Sequence, residues 1–313
     1  MTQPHRCFAC DENNPLQIVR GNGQGQTVEF VERLVGPRGR AHGGAAVGVL
    51  TCPALQLAEK EGIEHPVALH VTGRLNLPVP LAQPIHVHAR REQDRYRVEL
   101  HNGTSAFLTG SVTVADQPAE LGSILQSPPL EKMADLEDLV ELADADLQGP
   151  TLGAQYFQKL REAGIEREPP VCFGCGQTET ALKLRMRVAK PGYIWTRWET
   201  EPGFTDGGGR LAATIVAAAL DCSTVWVIYT NEPDMGLELE LQRKGWISGT
   251  YGVHFLRVPP MEVEGGYRVA TRYLGRDRRK SFTMSALLDR KGTVYAIGEA
   301  VAVQIDWPEG WNP

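Results

Sequence analysis

Cys7-Phe8-Ala9-Cys10 returns as Cys172-Phe173-Gly174-Cys175, and Leu50-Thr51-Cys52-Pro53-Ala54 returns as Leu220-Asp221-Cys222-Ser223-Thr224. Landmarks that recur in the same order, displaced by 165 and then 170 residues, indicate two copies of one design. Outward from these anchors, each copy shows the same succession: a Cys loop, a first strand (Thr27 to Val31; Tyr193 to Glu199), a long apolar helix, then period-two segments. In the first copy the segments are 86–89, 96–100 and 107–114, broken by the turn signals Asp94 and Asn102-Gly103. In the second they are 250–255, 267–273, 281–288 and 294–303. One helix followed by an antiparallel sheet is an α+β arrangement.

Residues 117–168 separate the copies and contain Pro118, Pro128, Pro129 and Pro150 with the acidic stretch Glu131 to Asp146. Leu136, Leu139, Val140, Leu142 and Ala143 recur there at helical spacing, which predicts one acidic amphipathic helix on the surface and no chemistry. The expected division is 1–118, a linker at 119–168, and 169–313.

The 313 residues carry 32 basic and 38 acidic side chains, a net charge of −6, with 42% hydrophobic residues. That is the composition of a globular chain with a real core, and it lacks the basic field that non-specific nucleic-acid binding needs. No nucleic-acid partner is expected. Residues 1–15 hold no apolar stretch behind a basic start, so a cytoplasmic protein is expected. Leu211 to Tyr229 approaches bilayer length, but Asp221 lies near its middle among Thr214, Ser223 and Thr224. It reads as a buried helix and not as a membrane span.

Ala41-His42-Gly43-Gly44 opens the first apolar helix, which is predicted to run to Glu61. Free N–H groups and a partial positive charge at such a helix start suit an anion or an oxyanion, and glycine admits a substrate carbonyl close to the backbone. This motif, with the CFxC loop and Asn14-Pro15-Leu16 before it and Arg74 to Leu81 (RLNLPVPL) after it, resembles the hotdog-fold thioesterases, in particular the phenylacetyl-CoA-thioesterase-like branch. The likeness extends from Cys7 to about Ala115 and from Cys172 to about Ile305.

The resemblance implies two tandem hotdog domains paired as an internal pseudo-dimer, each an antiparallel sheet wrapped around a long central helix. It also implies an acid inside that helix. At the family's acid position the first copy has Thr51, whereas the second keeps Asp221. Conversely, the second copy has Ala212-Ala213-Thr214 where the first has His42-Gly43-Gly44. Since the family shares each site across a dimer interface, the resemblance implies one composite site: Gly43 and Gly44 amides for the oxyanion, Asp221 as general base or nucleophile, and His42 for orientation. The twin position, Thr51 with 212–214, is expected to be inactive. Ser223 and Thr224 are substrate-binding candidates; burial in the apolar helix should raise the Asp221 pKa, and a hydrogen bond to the carboxylate from either hydroxyl or from a backbone N–H would lower it.

Arg38 and Arg40 before the helix, and Arg278 and Arg279 in Gly275-Arg276-Asp277-Arg278-Arg279-Lys280, are candidates for gripping the carrier's phosphates, although the latter stretch also reads as a solvated hairpin turn. The six cysteines (7, 10, 52, 172, 175, 222) read as reduced thiols. The two loops could meet as a four-cysteine zinc site, but duplication explains them without metal, and Cys52 and Cys222 read as small hydrophobes in helices. No metal and no cofactor are expected. The implied activity is hydrolysis of an acyl-CoA or acyl-carrier thioester, and a homodimer of double-hotdog chains is allowed. The alternatives are a non-catalytic acyl-ligand-binding protein and a hydratase or dehydratase on the same fold.

Overall fold

The computed structural model describes residues 19–21, 27–36, 39–117, 120–166, 171–176, 178–179, 181–206 and 208–307. Its strands are β1 (Val19–Gly21), β2 (Thr27–Phe30), β3 (Pro66–Leu75), β4 (Pro84–Glu92), β5 (Arg95–His101), β6 (Ala106–Asp116), β7 (Arg187–Lys190), β8 (Tyr193–Trp198), β9 (Lys244–Phe255), β10 (Tyr267–Asp277), β11 (Lys280–Leu288) and β12 (Val294–Asp306). The helices are α1 (Gly43–Val49), α2 (Thr51–Lys60), α3 (Met133–Val140), α4 (Leu152–Glu162), α5 (Ala213–Tyr229) and α6 (Leu237–Leu241).

Among the described residues all twelve strands join one antiparallel sheet in the order β1-β2-β4-β5-β6-β3-β9-β12-β11-β10-β8-β7. The order is a palindrome: read inward from either end, each half of the chain supplies its strands in the same sequence. α2 packs against β3 to β6, whereas α5 packs against β8 to β12 and against α1. The helix over residues 213–229 is apolar on nearly all its faces because nearly all its faces are covered. Among the described residues, no helix is long and apolar enough to cross a membrane.

Three sequence expectations need correction. The first helix does not run unbroken from Ala45 to Glu61; it divides at Leu50 into α1 and α2. Pro53 has no N–H for the Val49 carbonyl and its ring crowds that carbonyl, so the helix restarts there. The connection between the copies holds two helices, not one, and α3 is not a solvated surface element. Leu136, Leu139 and Ala143 are buried against Ala270, Met284, Ala286, Leu288 and Ile297 on the second-copy sheet. Arg272 meets both Asp135 (2.7 Å) and Asp138 (2.5 Å), so part of the acidic run is matched by the sheet beneath it. Finally, β3 is a full strand beyond those the alternation marks, and β9 starts six residues earlier than Thr250, because Gly245, Ser248 and Gly249 interrupt its apolar pattern.

The two halves meet at β3 and β9, paired from His70 opposite His254 to Arg74 opposite Thr250. His70 and His254 stack with ring centroids 4.0 Å apart, and His254 Nε2 lies 3.2 Å from Glu299 Oε2. Burial, with the neighbouring His254, lowers the His70 pKa to about 4. Glu299 is drawn down to about 2: burial opposes its charge, but His254 and Lys132 outweigh burial. A histidine with a depressed folded pKa binds its proton more readily in the unfolded chain, so its stabilising contribution is complete above about pH 6.5 and is lost as pH falls toward 4. Between pH 7.5 and 5, a range in which ordinary carboxylates stay ionised, this histidine is expected to cost about 2 kcal/mol of stability. Urea unfolding at the two pH values checks this, and His70→Gln should shrink the difference; an unchanged difference would refute the assignment.

Candidate functional site

His42 caps α1. Its backbone is extended (φ −61°, ψ 126°), its Nδ1 accepts from the Ala45 N–H at 3.4 Å, and the residue is 2% exposed. A neutral imidazole thus does at this helix start what Ser or Asp does elsewhere. Gly43 and Gly44 follow as the first two helical residues.

The Gly44 N–H donates to Asp221 Oδ2 at 2.8 Å, across 177 residues of chain. Ser248, on β9, donates its hydroxyl to Asp221 Oδ1 at 2.7 Å, and His42 Nδ1 lies 3.7 Å from Asp221 Oδ2. The carboxylate therefore sits at the positive end of α1, held through both oxygens, with its side chain 7% exposed.

The chain reaches this geometry through a close helix crossing. A Cβ on Gly44 would lie 2.5 Å from the Ala217 carbonyl oxygen and closer still to Asp221 Cβ. One turn on, a Cβ on Gly48 would lie 2.6 Å from Thr214 Cα. Gly44 is thus needed for backbone approach, a requirement that the anion-site reading of the HGG motif did not include. Gly43 is less confined: a Cβ there would meet Asp221 Oδ2 at 3.3 Å, Leu75 Cδ1 at 3.5 Å and Ser248 Cβ at 3.8 Å. Its N–H has no acceptor among the described residues.

Of the residues singled out from sequence, the structure brings together His42, Gly43, Gly44 and Asp221. It does not bring Ser223 or Thr224 to the carboxylate. Ser223 Oγ donates to the Leu220 carbonyl and accepts from Thr271 Oγ1, and Thr224 Oγ1 donates to the Asp221 backbone carbonyl at 2.6 Å. Hydroxyls inside a helix return to the carbonyl a turn earlier. Ser248 takes the role expected of them; the signal that could have found it is the apolar pair Trp246-Ile247 directly before it on the same strand.

Arg38 lies outside the described residues, and Arg40 is half-buried in the loop before His42. Residues 275–280 close the β10–β11 hairpin, with Arg278 and Arg279 as its turn. Arg279 spends its guanidinium on the Gln304 carbonyl, Arg276 pairs with Glu232, and Arg278 is exposed at φ 52°.

At the twin position Thr51 is buried and turns its hydroxyl back to the Gly48 carbonyl at 2.8 Å. Ala212 caps α5 with no side-chain hydrogen bond. Beside it lies an apolar pocket of about 80 Å³, lined by Leu55, Ala68, Ala213 and Phe255 among others, with the Asp206–Arg210 ion pair on its wall.

The cysteines also depart from expectation. Cys172, Cys175 and Cys222 carry free thiols, but Cys52 is in a disulfide; Cys7 and Cys10 lie outside the described residues. Cys222 is not an isolated hydrophobe: it adjoins Cys172 and His42, with their donor atoms within 4.8 Å of one another. Hydrogen bonds from Cys172 and Cys222, reinforced by the Trp226 N–H at 3.4 Å, hold the Cys175 thiol well below its usual range, and Cys222 is pushed up in turn. Burial opposes charge on His42, but its hydrogen bond with Cys172 and the nearby Asp221 leave its pKa raised.

Neither a protein-family model nor a curated protein sequence matches the chain. Solved structures do. The chain is similar to the acyl-CoA thioesterase II TesB2 from Mycobacterium marinum, at 11% identity and a TM-score of 0.52, over 95% of this chain and 98% of the other. It is similar also to the tesB protein from Mycobacterium avium subs paratuberculosis, at 12% identity and a TM-score of 0.52, over 92% and 96%. With a helix buried against an antiparallel sheet, and with the architecture of these structures along nearly its whole length, the chain has the hotdog fold.

Proposed function

We propose that the chain is a tandem pair of hotdog units, 1–118 and 169–313 joined by 119–168, that hydrolyses acyl thioesters, with acyl-CoA as the substrate class, at one composite site. The observation that carries this reading is the Asp221 carboxylate of the second unit, seated 2.8 Å from the Gly44 N–H at the helix start of the first. The palindromic strand order supports the tandem division. The names of the similar solved structures are consistent with the chemistry.

In this reading the Gly44 N–H serves the acid, and the Gly43 N–H is the oxyanion donor. The thioester carbonyl enters beside Gly43, in the space bounded by Leu75 and Ser248. Water attacks the carbonyl carbon and gives its proton to Asp221; the C–S bond breaks, and the thiolate leaves and is protonated. A carboxylate held through both oxygens by Gly44 and Ser248 is fixed in place, which suits a base acting on water better than a group that must swing onto the substrate. Arg40 and Arg278 are the cations proposed to meet the carrier's phosphates.

An assay of free-thiol release from a panel of acyl-CoAs tests the proposal. Turnover on at least one member is expected. Saturable binding of every member without thiol release would favour an acyl-ligand-binding protein instead.

A further inference from the structure

Nothing in the hydrolase reading uses the cysteines, yet they form the densest cluster of soft donor atoms among the described residues. Cys172 and Cys175 lie in the loop that enters the second copy, Cys222 is on α5 next to Asp221, and His42 caps α1. Three separate stretches of chain therefore converge. The His42, Cys172 and Cys222 donor atoms lie within 4.8 Å of one another, and all three residues are buried. Cys175 flanks this group as a fourth soft donor, hydrogen-bonded to Cys172 and Cys222 but outside its 4.8 Å limit. Tetrahedral zinc, with bonds of about 2.3 Å to sulfur and 2.0–2.1 Å to nitrogen, needs donor–donor edges of about 3.5–3.8 Å, so the three close donors must draw in by up to about 1 Å and Cys175 must move further.

Gly174 adds an independent observation. A Cβ there would lie 2.7 Å from Cys222 Cβ, 2.9 Å from Cys222 Sγ and 3.0 Å from His42 Nε2. The loop thus folds with its one side-chain-free residue over the middle of the cluster, and His42 Nε2 faces inward. The pseudo-symmetric arrangement around the first loop differs at just these places: Ala9 of the first copy stands where Gly174 does, and Ala212 of the second where His42 does. The second loop alone has both the missing Cβ and the fourth ligand.

We propose that Cys172, Cys175, Cys222 and His42 form a tetrahedral site of three thiolates and one imidazole for a zinc-class divalent ion. The ion binds neutral imidazole through Nε2 and the three sulfurs, whose protons pass to solvent, and the Trp226 N–H to Cys175 Sγ serves as an outer hydrogen bond. This departs from the expectation of no metal. It differs also from a four-cysteine arrangement of the two loops, because one ligand comes from a helix, one from a helix cap, and none from the other loop. With Nε2 on the metal, Nδ1 carries the proton, gives up the long contact from the Ala45 N–H, and turns a donor toward Asp221 Oδ2, 3.7 Å away. His42 would then be a positioning residue, tying the metal to the carboxylate.

The test uses the full chain, alone and in a Cys7→Ser/Cys10→Ser background that removes the first loop's thiols. Protein purified under reduction and without chelator is expected to contain one zinc per chain in that background. After exchange for cobalt it should show thiolate-to-cobalt charge transfer and the intense visible bands of tetrahedral Co(II). Cys222→Ser and Gly174→Ala should each bring metal to background. Where a variant does not fold, the cobalt spectrum of the Cys7→Ser/Cys10→Ser chain decides alone. Zinc lost with Cys7 and Cys10 instead, or a reduced, folded chain that takes up neither metal, would overturn the site. Metal content is read without substrate, so this outcome stands apart from success or failure of the thiol-release assay.

Discussion

Asp221→Asn is expected to lower the kcat of acyl-CoA hydrolysis by roughly 10²–10⁴, the span of a lost general base, with the fold intact. The substitution is nearly isosteric. The new amide oxygen can still accept from Gly44, and its NH2 can donate to Ser248 Oγ in a reversed hydrogen bond, so both anchors survive. What disappears is the basic oxygen. Thr51→Ala, at the pseudo-equivalent place, removes a hydroxyl that returns to the Gly48 carbonyl, so turnover should stay at the wild-type level while stability falls by about 1 kcal/mol. Steady-state kinetics of the two variants, with circular dichroism to establish folding, is the comparison. Equal losses in both would end the single-site reading, and full activity of Asp221→Asn would remove the carboxylate from the mechanism.

Gly44→Ala is expected to cost about 3 kcal/mol or more, the upper part of the usual range for overpacking, and much of the expressed chain should be insoluble. The atoms in the way are the Ala217 carbonyl and Asp221 Cβ, both part of or next to the backbone of a helix packed on all sides, and neither can rotate aside. Gly43→Ala makes the informative contrast. Its nearest neighbours are side-chain atoms at 3.3 Å and beyond, so the protein should fold, yet the added methyl takes the space in front of Asp221 and should lower turnover. Urea denaturation midpoints measure the first effect and thiol release the second. A Gly44→Ala chain within about 1 kcal/mol of wild type would mean that the two helices do not cross as closely as described.

Much of this was legible in residue order. The duplication is visible because Cys and Phe are rare enough for CFAC and CFGC to be recognised across 165 positions, and alternation marked most strands of both copies. The complementary losses, Thr51 without an acid and Ala212 without HGG, marked His42, Gly43, Gly44 and Asp221 as a set before any geometry was known. Local pattern failed where a long-range contact decided the outcome. The acidic linker looked solvated because the apolar face of α3 is covered by strands that lie more than 100 residues further on. Ser248 was missed because a polar residue followed by a glycine carries little strand signal of its own.

Sequence alone determined which residue types exist in duplicate and where the two copies differ; that information is in the order of the chain and needs no coordinates. The tertiary structure decided which atoms meet. Asp221 lies 177 residues from Gly44, and Cys222 180 from His42. Only the crossing of α1 over α5, admitted by glycines without Cβ atoms, closes those separations, to 2.8 Å for the first pair and to within 4.8 Å for the donor atoms of the second. Periodicity reports how a segment faces its core, whereas a site depends on where two faces touch, and that is set by packing across the whole molecule.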